Sequence, residues 1–270
     1  MLINTVRVFV CNNGDFIYLL PLEEVATIEV GRVVFPDFFV YLSKKITTML
    51  RLLSFPLIIL LIALGITEII PVIKWSIGHY IIYKWVGVGM AAYLVLSILR
   101  IFNKNLEWLR TFSHELSHTI VGMMFLRKIH SFEAGEGEGE MSHSGGLRFG
   151  AIFISLAPYC LPIFTYLLLF LRELGAQNSL YIFDIMIGFT AAFHIGCFRR
   201  QIGTYQSDIT NMGVIRSYLF IFAMWTVNLT ILLLSIRYGV IDAFKTLAVE
   251  YWATVVSWWH IVVGYIKSLL

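Results

Sequence analysis

His114, Glu115 and His118 are the residues of this chain best equipped for chemistry. They form H-E-x-x-H within Thr111-Phe112-Ser113-His114-Glu115-Leu116-Ser117-His118-Thr119. On a helix, positions i and i+4 return to one face, a turn apart. Two imidazole nitrogens can therefore meet at one zinc ion, and Glu115, beside the first ligand, can reach a water there as general base. The setting sharpens this reading. Ile120 to Leu126, directly behind the motif, is apolar, and ionisable groups in an apolar helix are costly unless paired, ligated or wet. The plainer alternative is two polar residues packed inside a helix bundle.

A catalytic zinc usually takes three protein ligands and leaves a fourth position open. The third is sought in the polar, glycine-containing stretch His194 to Gly213, which joins two apolar segments. Asp208 is the leading candidate, since a carboxylate just before an apolar helix could reach back to the metal. Its ordinary role there would be a helix N-cap. His194 competes as third ligand, or as a donor that orients one. His143 is a weaker candidate, because the glycine-rich stretch around it positions a ligand poorly.

These residues need elements to hold them. Of 270 residues, 59% are hydrophobic and 14% charged, against about 25% charged in average soluble domains. With a mean hydropathy of +0.80, the chain reads as an all-α polytopic membrane protein. Spanning candidates are Leu52 to Ile73, Tyr80 to Phe102, Leu106 to Leu126 with the motif, Phe149 to Leu171, Tyr181 to Phe198 and Val214 to Ile236, about six transmembrane helices. Phe244 to Leu270 is a seventh candidate, although Trp252, Trp258, Trp259, His260 and Lys267 equally suit an interfacial helix. Residues 1–45 read as a small membrane-proximal β element followed by an amphipathic segment, and residues 46–270 as the transmembrane domain. In the β element, Val6 to Val10 and Phe16 to Leu20 flank Asn13-Gly14, a hairpin turn signal, and a third run follows at Ala26 to Val34. Met1 to Asn12 lacks the pattern of a cleaved leader. After the motif, Phe132 to Gly146 alternates glutamate with small residues, which suits a glycine-rich hairpin rather than a lipid-facing helix. Ala157-Pro158 and Pro162 predict a kink in the fourth span.

Net charge +3 is modest and gives no reason to expect a nucleic-acid partner. Cys11, Cys160 and Cys197 are too scattered for a disulfide framework. Lys44, Lys45 and Arg51 before the first span, and Arg100, Lys104 and Arg110 between the second and third, predict a cytoplasmic N-terminus. Arg199 and Arg200 then fall on the opposite side if every segment crosses. If His114 and Asp208 share a depth, an even number of crossings must separate them, whereas the segments number three. The short fifth segment, Tyr181 to Phe198, is therefore expected to be broken or re-entrant, unless the Asp208 loop folds back into the bundle.

H-E-x-x-H in a spanning helix, a glycine-rich hairpin after it, a span with Ala157-Pro158 and a downstream Asp208 together resemble the site-2-protease group of intramembrane zinc metalloproteases. The resemblance covers about residues 107–225. It implies that His114, His118 and Asp208 hold Zn2+, that Glu115 activates water, and that residues near Ser131 to Gly146 help bind substrate. The expected function is that of a zinc-dependent endopeptidase acting on peptide bonds in or near transmembrane segments of membrane-protein substrates. The expected location is an integral, multi-pass one in the lipid bilayer, the inner membrane if the source is bacterial, with a membrane-protein partner or homo-oligomer compatible. The alternative is a catalytically inactive scaffold on the same fold. A transporter would show repeated broken helices in two halves, and no such repeat is evident.

Overall fold

The computed structural model describes residues 5–10, 16–21, 49, 52–99, 105–134, 139–144 and 150–269. The chain divides into two compact units, Met1–Phe55 and Pro56–Leu270. In the first, β1 (Thr5–Val10) and β2 (Phe16–Pro21) pair antiparallel, with Thr5 opposite Pro21 and Val10 opposite Phe16. The Asn13-Gly14 turn, the run Ala26 to Val34 and most of the amphipathic segment lie outside the described residues.

The remaining elements are α1 (Leu52–Gly78), α2 (Lys84–Ile98), α3 (Asn105–Met124), β3 (Lys128–Ala134), β4 (Gly139–Ser144), α4 (Ala151–Cys160), α5 (Ile163–Arg172), α6 (Leu180–Gln201), α7 (Ser207–Met212), α8 (Val214–Tyr238) and α9 (Val240–Leu269). Four described helical segments are long and apolar enough to cross a membrane: α1, α2 with its leading 3-10 turn, α6 with its leading turn, and α8. The count rises to five if α4 and α5 form one span. This is fewer than the six or seven expected from hydropathy. The motif helix α3 stays out of the set because Glu107, Arg110 and Glu115 interrupt its apolar run. In α9, Trp, Tyr and His residues dilute the aliphatic ones.

The kink expected in the fourth span is present, while the break expected in the fifth is not. The fifth candidate segment is an uninterrupted helix, α6, whereas the fourth is split, with α4 and α5 bent by 78°. Proline decides this rather than segment length. Pro162 has no N–H, and its ring excludes the carbonyl of the preceding turn. The Ile163 N–H turns to Leu161 O instead of Tyr159 O. The carbonyls of Tyr159 and Cys160 lose their helical partners, and α8 supplies replacements: Trp225 Nε1 donates to Tyr159 O and Asn228 Nδ2 to Cys160 O, both at 2.9 Å.

Helices α2 and α6 run parallel in close contact. Gly89 lies against Ile185 and Gly188 against Val86, while Gly196 faces the Tyr93 hydroxyl. Small residues allow such backbone approach between apolar helices. A Cβ added at Gly188 would stand 2.0 Å from the Val86 carbonyl oxygen, so the helices must part. Gly188→Ala is expected to destabilise the detergent-solubilised protein by about 1–3 kcal/mol. Gly87→Ala, where nothing lies within 4 Å, should melt like the parent or slightly above it. Equal melting of the two variants would contradict the close packing.

The end of α6 lies beside the start of α3, where Arg200 approaches Glu107 at 3.9 Å. β3 leaves α3 through Leu126, a non-glycine residue at φ 58°. It pairs antiparallel with β4, Lys128 opposite Ser144 and Ala134 opposite Gly139, with a register shift between Ile129 and Ser131. Ile129 packs over Gly122 of α3. The connecting residues 135–138 lie outside the described residues.

Candidate metal centre

The helical spacing of the motif does what local geometry requires. His114 and His118 lie one turn apart on α3, their rings edge-on with centroids 4.9 Å apart. Asp208 comes to them from α7. That helix is six residues long, with Gln206 at its N-cap and Asp208 inside its first turn. The carboxylate is therefore not the cap of its own helix, and it points to the histidines. Two contacts fix α7. Ile209 is fully buried against Leu156, Tyr159, Phe220 and Ile221, and Ser217 Oγ donates to Ile209 O at 3.1 Å.

Asp208 Oδ2 stands 3.5 Å from His114 Nε2 and 3.4 Å from His118 Nε2. A charge-assisted N–H···O bond prefers about 2.7–2.9 Å, so these contacts are long for direct pairing. Ligand atoms held about 2.0–2.1 Å from a tetrahedral zinc stand roughly 3.4 Å apart. The two edges from Asp208 match that figure. All three donor atoms lie within 4.8 Å of one another, and they form the one such cluster among the described residues. The donor set of two imidazoles and one carboxylate suits zinc and leaves a coordination position open.

The orientation of His118 follows from a missing hydrogen bond. Pro158 lies inside α4 and has no N–H for the carbonyl four residues earlier. That carbonyl belongs to Ile154, and it accepts instead from His118 Nδ1 at 2.8 Å. A carbonyl can only accept, so Nδ1 carries a proton, and Nε2 is the nitrogen that faces Asp208, a donor to the carboxylate when the ring is protonated and a lone pair for a metal when it is neutral. His114 has no matching support, since its buried Nδ1 has no hydrogen-bond partner among the described residues. Its ring packs edge-on against Tyr159 at 5.6 Å, and the Tyr159 hydroxyl reaches Asp208 Oδ2 at 3.5 Å.

Replacing Pro158 with Ala restores the N–H that competes for Ile154 O. The Pro158→Ala variant is expected to stay folded but bind zinc roughly 10–100-fold more weakly, as loss of a ligand-orienting partner usually does. Competition titration with a chelating dye measures it, and unchanged affinity would remove Pro158 from the account of the site.

Burial pushes the Asp208 carboxyl up, but the His114 and His118 imidazoles, as hydrogen-bond donors and as charges, outweigh it and hold the group well below the usual carboxylate range. Asp208 is thus an anion in the metal-free protein, ready to ligate. Its side chain is 25% exposed, against 12% for His114 and 10% for His118, so the cluster opens on the Asp208 side. Glu115 is buried next to the first histidine.

No protein-family model, curated protein or solved structure matches the chain. The case for the site therefore rests on its own geometry.

His114, His118 and Asp208 converge, and His194 stands apart from them. The His194 ring stacks on Trp225 with centroids 5.6 Å apart, and its buried Nε2 has no hydrogen-bond partner among the described residues. His143 lies opposite Ile129 in the β3–β4 pair, and the position of its side chain is outside the described residues. Tyr159, and Ile154 through its carbonyl, join the site without a motif of their own. The signal for the carbonyl was Pro158, which marks a free acceptor four residues earlier. Tyr159 had no comparable signal.

Proposed function

We propose that this chain is a zinc-dependent intramembrane endopeptidase of the site-2-protease type. The observation that carries the reading is the His114–His118–Asp208 triangle, whose two edges from Asp208 match those around a tetrahedral zinc and whose donor atoms all lie within 4.8 Å of one another, with buried Glu115 adjoining it. A zinc ion bound there supplies a Lewis acid for a peptide carbonyl and lowers the pKa of a water. His118, oriented by Ile154 O, together with His114 and Asp208, would hold that ion. Glu115 accepts the water's proton and returns it to the leaving amine. The opening at Asp208 admits water to an otherwise buried cluster.

The substrate class is a transmembrane or membrane-proximal segment of another protein. The β3–β4 pair follows the motif helix directly and has no third strand among the described residues. An unwound substrate segment adds to such an edge through its backbone.

Topology supports a multi-pass arrangement with a cytoplasmic N-terminus. Helices α2 and α6 run parallel, and α6 ends where α3 begins. With α3 and α6 each crossing once, the α4–α5 pair enters and leaves on one side as a re-entrant loop. Arg199 and Arg200 then join Arg100, Lys104 and Arg110 on the cytoplasmic side, in line with the distribution of basic residues. His114 and Asp208 can share a depth on the same grounds.

The experiment is zinc analysis of the detergent-purified protein, followed by incubation with a membrane-spanning model peptide. The expected result is one zinc per chain and cleavage abolished by chelation and restored by added zinc. No zinc after supplementation, or cleavage indifferent to chelation, would overturn the proposal. Zinc without cleavage of any membrane peptide would favour an inactive scaffold.

A further inference from the structure

A second polar feature lies away from the metal centre, where α2, α3 and α6 end or begin together. A crevice of about 380 Å3 opens between α2 and α6 and is lined by Tyr93, Ser97, Arg199 and Arg200, with Leu94 and Ile195 at its side. Arg199 has no ion-pair partner among the described residues, and Arg200 has only Glu107 at 3.9 Å. Behind them, Arg110 of α3 is buried, and its Nε and Nη1 have no hydrogen-bond partner among the described residues. Arg110 and Arg200 both lie within electrostatic range of Cys197, next to Gly196 of the crevice wall. Arg199 and Arg200 therefore place two guanidinium groups on the crevice, with Arg110 buried nearby, and the one carboxylate paired with them among the described residues is Glu107. Arg199 and Arg200 are exposed and adjacent, like charges held side by side repel, and an anion entering the crevice from outside would offset that cost.

The surroundings narrow the anion. Ser97 and Arg199–Arg200 lie in the last turns of two apolar helices that are long enough to cross a membrane. Leu94 and Ile195 are exposed on the flank, which suits acyl chains beside a headgroup. Basic pockets between membrane helices bind phosphate-bearing lipid headgroups in this way, and guanidinium forks match phosphate oxygens. Arg199 and Arg200 also complement the C-terminal dipole of α6, but that role needs no crevice. We propose that this crevice holds the phosphate headgroup of an anionic phospholipid, independently of the metal centre.

The test uses the full-length protein in detergent and native mass spectrometry with added phosphatidylglycerol, phosphatidylcholine or inorganic phosphate. Wild type is expected to retain phosphatidylglycerol in preference to phosphatidylcholine. Arg199→Gln combined with Arg200→Gln should weaken phosphatidylglycerol binding about tenfold or more, while Lys267→Gln, an exposed cation on α9, leaves it unchanged. Equal binding by the double variant, or equal binding of phosphatidylcholine, overturns the proposal. Displacement of the lipid by inorganic phosphate at matched concentration overturns it in favour of a free-phosphate site. Should the double variant fail to fold, Ser97→Phe fills the crevice and keeps every charge. It is expected to show the same loss, and wild-type affinity in that variant overturns the proposal.

Discussion

Glu115→Gln is expected to keep one zinc per chain and to lose peptide hydrolysis by about 10²–10⁴-fold, the usual contribution of a positioned general base. The substitution keeps the shape of the side chain and removes only its ability to accept a proton. The proposed ligands are His114, His118 and Asp208, so metal content should not follow activity. Glu115 is buried, and an uncharged amide is easier to bury than a carboxylate, so the variant should also remain folded. Metal analysis and cleavage of a membrane-spanning peptide are measured on the same preparation. Retained cleavage would falsify the catalytic role. A variant that traps uncut substrate, where wild type releases fragments, separates a protease from a scaffold that binds the same partners intact.

Asp208→Ala is expected to weaken zinc binding by more than about 100-fold, since loss of a mere orienting partner already costs up to that much. The fold should survive, because Ile209 and the Ser217–Ile209 hydrogen bond anchor α7 without the carboxylate. His118→Ala should lose zinc similarly, and His194→Ala should retain it. The opposite pattern, with zinc kept in Asp208→Ala and lost in His194→Ala, would transfer the third ligand to His194. Retention in both would call for a ligand beyond the described residues.

What could be read from the sequence followed the range of the interaction. His114 and His118 were legible because the i, i+4 spacing is a property of any helix and needs no tertiary information. Asp208 was legible as chemistry only. Nothing in its neighbourhood says that Ile209 plugs into a core formed by α4 and α8 and so aims the preceding carboxylate at α3. The kink in the fourth run was legible from Pro158 and Pro162, but the break that the topology requires was sought in the fifth run because that run is short, and Pro162 supplies it in the fourth. The loss of one N–H and the bulk of a ring outweigh a few residues of length. Arg110 looked like one more charge at a helix end, and only packing makes it a buried cation near Arg200.

The bend between α4 and α5 also bears on how this chain can diverge. Trp225 and Asn228 donate to carbonyls that are free only because Pro162 interrupts the helix. In descendants with a straight helix at this point, an indole and an amide at those positions would have no acceptor to serve. The three positions should therefore be inherited or replaced as a set. Finding proline at 162 without donors at 225 and 228 would mark a lineage that solves the bend by other means.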